Sequence, residues 1–316
     1  MHRIRTTIVL SIIAAPFSAP FSAPLAADTS VELDFAAGIL ALQDDAPTAS
    51  TATGTRDDDE GVVTEYEADP AAGNTEALAK ASQNPVADMI SLPFQNNFTF
   101  PTGPDDNAQW VLNVQPVIPI NLTEDINLIT RTILPVINSP SPASGISSDF
   151  GIGNIQFTGF FSPAKTDGLI WGVGPVLQFP TASSARLGSD KWTAGPSAVM
   201  LSMNGPWVVG ALVQNVWSYA GPSDAADVNA FLFQPFVNYN MDKGWYLTTS
   251  PVLTADWKAG SDDRWTIPLG GGIGRIMRLG SQPVNMQLQG FYNAVRPDAV
   301  GEWTIRFQIQ LLFPTS

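Results

Sequence analysis

Amides recur at every second position in one stretch after another of this chain. The series is Gln95, Asn97 and Thr99; Asn113 and Gln115; Gln156 and Thr158; Gln178; Gln214; Gln234, Asn238 and Asn240; Asn285, Gln287, Gln289 and Asn293; Gln308 and Gln310. Arg131 and Arg306 share that phase, Asp256 joins it towards one end, and Arg275 would join it only if a bulge near Gly270-Gly271-Gly272 shifted the alternation. An amide offers both donors and an acceptor, and a guanidinium offers a fixed fork of donors that matches a carboxylate. The chemistry such a surface can do is reversible recognition of a neutral or weakly charged solute, with the two arginines favouring anions. A purely structural use is equally compatible with the residues: amides bonding to one another across a narrow interior, with Arg131 and Arg306 held by neighbouring acceptors. Phe160, Phe236 and Phe291 fall in the same phase, where they would serve as stacking or constriction residues for aromatic solutes or as filler.

Covalent chemistry is largely excluded by composition. The chain has 316 residues, no Cys, and a single His at position 2, inside a segment expected to be removed. That leaves no thiol nucleophile, disulfide or zinc ribbon, and no Ser-His-Asp triad or HExxH site. No cofactor and no metal site is expected. Asp57 to Glu60 lacks the alternating ligands and central Gly of a calcium loop and reads as a solvated charge run. Asp262 and Asp263 are adjacent loop carboxylates, not an acid–base pair in a cleft, so no enzyme activity is expected. Gly270 to Gly274 is glycine-dense but lies inside an apparent strand and opens no helix, which argues against a nucleotide site. Nucleic-acid binding is disfavoured by the net charge of −14 and by the lack of any Lys/Arg cluster.

The elements that must carry these alternating amides are long strands. Trp110, Leu112, Val114, Pro116, Ile118 and Ile120 form one apolar row, and Trp303, Ile305, Phe307, Ile309, Leu311 and Phe313 another. Comparable period-2 stretches run at about 88–101, 108–121, 125–138, 149–162, 168–181, 192–203, 206–218, 229–241, 244–258, 264–279, 284–296 and 302–314, which makes twelve strands. They are longer than the ~5–6 residues usual in soluble sheets and fit a tilted membrane strand of ~9–11 residues. Their connections alternate. Leu122 to Glu124, Ser162 to Asp167, Asn204-Gly205, Asp242-Lys243 and Gly280 to Pro283 are tight, while the intervening loops are mostly longer and polar.

Charged residues make up only 14% of the chain, against roughly 25% in soluble proteins, yet no run of 18 apolar residues follows the N-terminal region, so the chain is either soluble or a barrel. The tryptophans favour the barrel. Trp110, Trp192, Trp217, Trp257, Trp265 and Trp303 fall at strand ends on the long-loop side, and Trp171, Trp207 and Trp245 at the short-turn side, as two membrane-interface belts require. A row of amides cannot face lipid, where each unpaired group costs several kcal/mol, so it should line the lumen. The expected fold is all-β: a 12-stranded antiparallel up-and-down transmembrane β-barrel, residues 88–316, with both termini periplasmic.

Residues 1–27 read as a secretory signal, with Arg3 and Arg5, an apolar core from Ile8 to Ala15, and small residues from Ala23 to Ala27. Residues 28–87 form an acidic periplasmic extension, net −11 from thirteen acids and two bases, mostly a disordered linker. Within it Asn74 caps a short helix near 75–82, stopped by Asn84-Pro85; this helix either docks or merely leads in.

Five segments carry a resemblance to a known family. Asn84 to Asp88 with Leu92 to Asn97, Phe160 to Pro163, Leu169 to Pro175, Gln234 to Asn240 and Trp265 to Gly272 are similar to proteobacterial outer-membrane proteins labelled "transporter" or, misleadingly, "neuromedin U". The similarity spans roughly Asn84 to Pro314. It implies an outer-membrane β-barrel of a Gram-negative bacterium with a role in passive uptake, in the style of barrels tied to degradation of aromatic compounds. It carries over no substrate or catalytic residues. The expected partners are outer-membrane lipid, the barrel-assembly machinery acting through the C-terminal strand, and a small-molecule solute. The chain departs from the usual aromatic ending of such barrels, since Phe313 is followed by Pro314-Thr315-Ser316. The leading functional expectation is a porin-like passive diffusion channel for small neutral or weakly anionic solutes, aromatic ones included. The alternative is a sealed structural or adhesive barrel without transport.

Overall fold

The computed structural model describes residues 77–166 and 168–314; the expected signal at 1–27 and the acidic stretch as far as residue 76 lie outside them. Strict alternation drives the described chain into strands. In β1 (Ile90–Thr102) Ser91, Pro93, Gln95, Asn97 and Thr99 share one face, and Ile90, Leu92, Phe94 and Phe98 share the other. Such a two-faced strand is stable only with one side towards apolar surroundings and one towards polar groups, so register is tightly specified.

The order continues through β2 (Asn107–Val114), β3 (Val117–Asn121), β4 (Ile126–Ser139), β5 (Asp149–Ile152), β6 (Gln156–Pro163), β7 (Leu169–Gln178) and β8 (Trp192–Asn204). It ends with β9 (Trp207–Ala220), β10 (Asn229–Asn240), β11 (Trp245–Thr249), β12 (Leu253–Asp256), β13 (Trp265–Leu279), β14 (Gln282–Val295) and β15 (Trp303–Phe313). Neighbours pair antiparallel throughout, and β1 closes on β15 from Ile90↔Phe313 to Phe100↔Trp303. The fold is a closed antiparallel barrel.

The fifteen strands among the described residues trace the twelve expected spans, because three of those spans are interrupted. The stretch 108–121 breaks at Gln115-Pro116 and 244–258 breaks at Ser250-Pro251-Val252; proline has no N–H for the ladder. In 149–162 the break falls at Gly153-Asn154-Ile155, where the Asn154 side chain donates to the Ser189 carbonyl (2.7 Å) and accepts from the Ala182 N–H (3.2 Å). Proline alone does not decide. Pro175 and Pro196 lie opposite each other in the continuous β7–β8 ladder, bordering an outward groove of about 610 Å³ lined also by Val173, Val213 and Phe231.

Arg275 lies outward, because the bulge that would bring it inward is not at the glycine run. The one irregularity in the β13–β14 register falls between Ile267 and Pro268, not at the glycine run, so Arg275 stands opposite Trp245 and Met286 on the apolar face. Its guanidinium lies 4.8 Å from the Trp245 ring, an amphipathic placement in which the charge stacks on the indole.

Tight turns and both ends of the barrel sequence, Ile90 and Phe313, occupy one rim, here the terminal end; the longer connections occupy the other, the loop end. Gly205 supplies the left-handed turn residue (φ 54°) between β8 and β9. At the loop end Asp227 sits 3.6 Å from Lys191 and 3.7 Å from Lys258. The Lys258 charge, then that of Lys191, holds the Asp227 carboxyl below its ordinary value. This tether is complete at neutral pH and is lost as the pH falls through that lowered value, so amide protection factors in loop 221–228, corrected for the intrinsic rate at each pH, should fall in acid. The effect should be small, because the carboxylate is exposed.

Candidate pore lining

The parity of each strand sorts the side chains into two sets. Outward are Leu169, Met200, Val209, Val213, Leu247, Ile273, Leu288 and Ile305, all exposed. A contiguous apolar surface of this extent marks contact with something other than water. The amides and the two arginines fall on the opposite, inner face. Gln95 stands opposite Gln308 and Asn113, Asn97 opposite Arg306, Gln287 opposite Gln308, Gln289 opposite Arg306, and Gln310 opposite Asn285. Arg131 stands opposite Thr158 and Gln156 opposite Gln178, and on β10 Gln234 and Asn238 pair with Leu212 and Val208. Gln115 lies at the strand break beside them and accepts from Arg131 Nη2 at 2.6 Å.

These groups bond to one another. Gln214 Nε2 donates to Gln156 Oε1 (3.0 Å), Thr193 Oγ1 to Gln178 Oε1 (2.9 Å), and Gln289 Nε2 to Gln287 Oε1 (2.9 Å). Arg306 is the most elaborated. Its Nε donates to Asn97 Oδ1 (3.0 Å), its Nη1 donates to the Ser250 carbonyl (2.9 Å), and its guanidinium lies 5.0 Å from the Phe291 ring. Ser250 is oriented in turn by donating to Gln289 Oε1 at 3.0 Å. Among the described residues neither Arg131 nor Arg306 forms an ion pair with a carboxylate. Each is a cation held by neutral acceptors. Ser250 and Thr193 were not singled out from sequence; their spacing of two and four positions from Thr248 and Ser197 was the available signal.

The inner face is not polar throughout. Towards the terminal end Ile129, Phe160, Val199, Leu201, Val208, Leu212 and Phe236 form one buried apolar nest that includes Val86. Tyr246, Ile276 and Leu312 form another with Leu78, Ala79 and Met89. The short N-terminal helix therefore docks: residues 77–82 are helical, and 77–89 pack against inner residues of strands β4 and β6 to β11, and of β13 and β15. The wall is recessed to receive it, since a Cβ on Gly172 would stand 3.1 Å from Val86. A reciprocal amide pair ties it in: Gln83 Nε2 donates to Asn240 Oδ1 (2.9 Å) and Asn240 Nδ2 to Gln83 Oε1 (3.2 Å). Phe160 and Phe236 serve this nest, not a free constriction, while Phe291 carries Arg306.

Beside that nest the Tyr246 hydroxyl donates to Asn285 Oδ1, whose own amide donates to Gln310 Oε1 at 3.1 Å. Tyr246→Phe leaves the buried Asn285 oxygen unpaired, and the denaturation midpoint should fall by the equivalent of about 1–3 kcal/mol.

The tryptophans lie on the outer face near the two rims. Trp171, Trp207 and Trp245 are at the terminal end; Trp192, Trp217, Trp257 and Trp303 are exposed at the loop end, and Trp110 and Trp265 half-buried there. Two indoles find partners that the sequence reading passed over. Trp110 Nε1 donates to Asn96 Oδ1 (3.1 Å) and Trp257 Nε1 to Asn215 Oδ1 (2.9 Å), so these outward amides are satisfied by the aromatic belt.

An apolar outer band, aromatic rims, a polar inner face and full closure define the class: the architecture of outer-membrane β-barrels. The fold is similar to that of an outer membrane channel from Pseudomonas putida F1, with a TM-score of 0.53 and 17% identity over 71% of this chain and 94% of that one. Weaker likenesses are to the NanC porin (TM-score 0.47, 8% identity, 71% of this chain, 100% of that one) and to the Salmonella typhi outer membrane phospholipase (0.41, 13%, 77% and 98%). At such identities the likeness is one of fold. No family model matches the chain, nor does any curated protein.

Proposed function

We propose that the chain is a passive diffusion channel of a Gram-negative outer membrane, admitting small neutral or weakly anionic solutes, aromatic ones included. In this reading the signal at 1–27 directs export, both termini lie in the periplasm, and β15 is what the assembly machinery reads. The resemblance to the outer-membrane transporter family named above belongs to the same reading. The observation that carries it is the pair of inner-face arginines without carboxylate partners among the described residues, set in a lining of amides. A neutral polar wall lowers the cost of desolvating a solute, and two fixed positive charges favour anions. No catalytic role is assigned to any residue.

A second reading, a sealed structural barrel, has its own support in the amide-to-amide bonds and in the docked segment 77–89. Conductance separates the two. Purified full-length protein in a planar bilayer under a salt gradient should pass current with an anion-favouring reversal potential. Folded protein that never conducts, even when segment 77–89 has been dislodged, would establish the sealed barrel instead.

A further inference from the structure

We propose that segment 77–89 is a self-docked stopper that closes the terminal end of the lumen and must leave its seat for solute to pass. This rests on the channel reading above. The segment touches both sides of the wall, with Val86 in the nest formed by β4 and β6 to β10, and Leu78, Ala79 and Met89 against Tyr246, Ile276 and Leu312. A body that contacts opposite arcs of a closed barrel from inside fills its bore there.

The manner of its holding makes it removable as a unit. Its backbone bonds close within the segment: Gln83 N–H to the Ala79 carbonyl (3.1 Å), Asn84 N–H to Ala81 (3.2 Å) and Ala87 N–H to Asn84 (3.2 Å). The Asn84 side chain adds an internal bond from the Val86 N–H at 3.0 Å, and Pro85 ends the helix there. These bonds are internal to the segment and survive undocking, whereas pulling out a wall strand would open a whole ladder. Its described holds on the wall include aliphatic contacts, which are non-directional, and the Gln83–Asn240 amide pair, which sets the register. Withdrawal exchanges that amide pair for bonds to water and breaks no strand pairing. Asn240, Asn285 and Gln310 lie at the level of the stopper, whereas Arg306 with Asn97 and Gln289, and Gln156 with Gln178 and Gln214, lie nearer the loop end, so the loop half selects and the terminal half closes.

The test uses the full chain. Val86→Asp places a carboxylate in the apolar nest without altering any wall residue, and Gly172→Leu fills the recess from the wall side. Single-channel recordings of the parent should show a closed baseline with brief openings, and both variants should stay open at least ten times longer. Because the chain has no Cys, a Gln83→Cys/Asn240→Cys pair can be bridged by a reducible bismaleimide; bridged protein should not open, and reductant should restore opening. Steady parental current that neither variant nor bridge alters would overturn the stopper and leave the channel standing. Silence of parent, variants and reduced pair alike, from protein shown to be folded, would overturn both.

Discussion

Leu288→Arg should abolish most barrel assembly, read as loss of the heat-modifiable folded band and of outer-membrane yield. Leu288 is midway along β14, faces outward at 52% exposure, and stands between Ile273 and Phe307 on the adjacent strands. A guanidinium there meets the hydrocarbon at its thickest, which costs roughly 2–4 kcal/mol, and a stem in mid-bilayer is far from either interface to snorkel towards. Leu128→Arg should cost less, because Leu128 is the third residue of β4 from the terminal rim, between Ile120 and Phe161. The wild-type chain offers its own control: Arg275 is tolerated on the outer face near that rim, beneath Trp245. Equal yields for the two Leu variants would mean that the outward band does not contact lipid.

In the proposed channel, Arg306→Glu should reverse the ion preference, measured as a change in sign of the reversal potential under a salt gradient. The substitution replaces a cation with an anion at a point where Asn97, Ser250 and Phe291 fix the side chain. One unit charge at 4 Å in water-like surroundings is worth about 1 kcal/mol, or about fivefold in permeability ratio, and more where the wall excludes water. Reversing the charge changes the preference twice over. Arg131→Glu should act in the same sense; it has a single described acceptor, Gln115, and its neighbours tolerate the change less, since Val117 and Ile129 are apolar. If both variants fold and keep the parental reversal potential, the arginines do not line the conducting path.

Which parts of this were readable in the sequence follows from what each part depends on. Face assignment depends only on parity, so the inner placement of Gln95, Asn97, Gln156, Gln287 and Arg306 could be read from counting alone, and twelve spans followed from the turn pattern. Arg275 shows the same rule from the other side: it shares the parity of Ile273, and with no bulge at the glycine run to shift the phase it faces outward. Strand breaks were less legible. Pro116 and Pro251 interrupt the ladder, whereas Pro175 and Pro196 sit inside it, and no local signal distinguishes a proline whose missing donor faces a gap from one whose neighbours absorb it. The docked segment was the least legible. Leu78, Val86 and Met89 have no periodicity that names a partner, and their seat is built from Ile129, Leu201 and Val208, which occupy the amide phase but read as ordinary strand residues. That seat exists only once the sheet has closed and brought residues far apart in sequence to one rim.

No spacer separates Met89 from β1, which begins at Ile90 and is zipped to β15 along eleven consecutive pairs. A stopper so attached can swing away but cannot diffuse away. Its return is an intramolecular encounter at an effective concentration on the order of millimolar, independent of how much protein the membrane holds. The closed position is thus restored by the chain's own connectivity, as a hinged valve falls shut under its own weight.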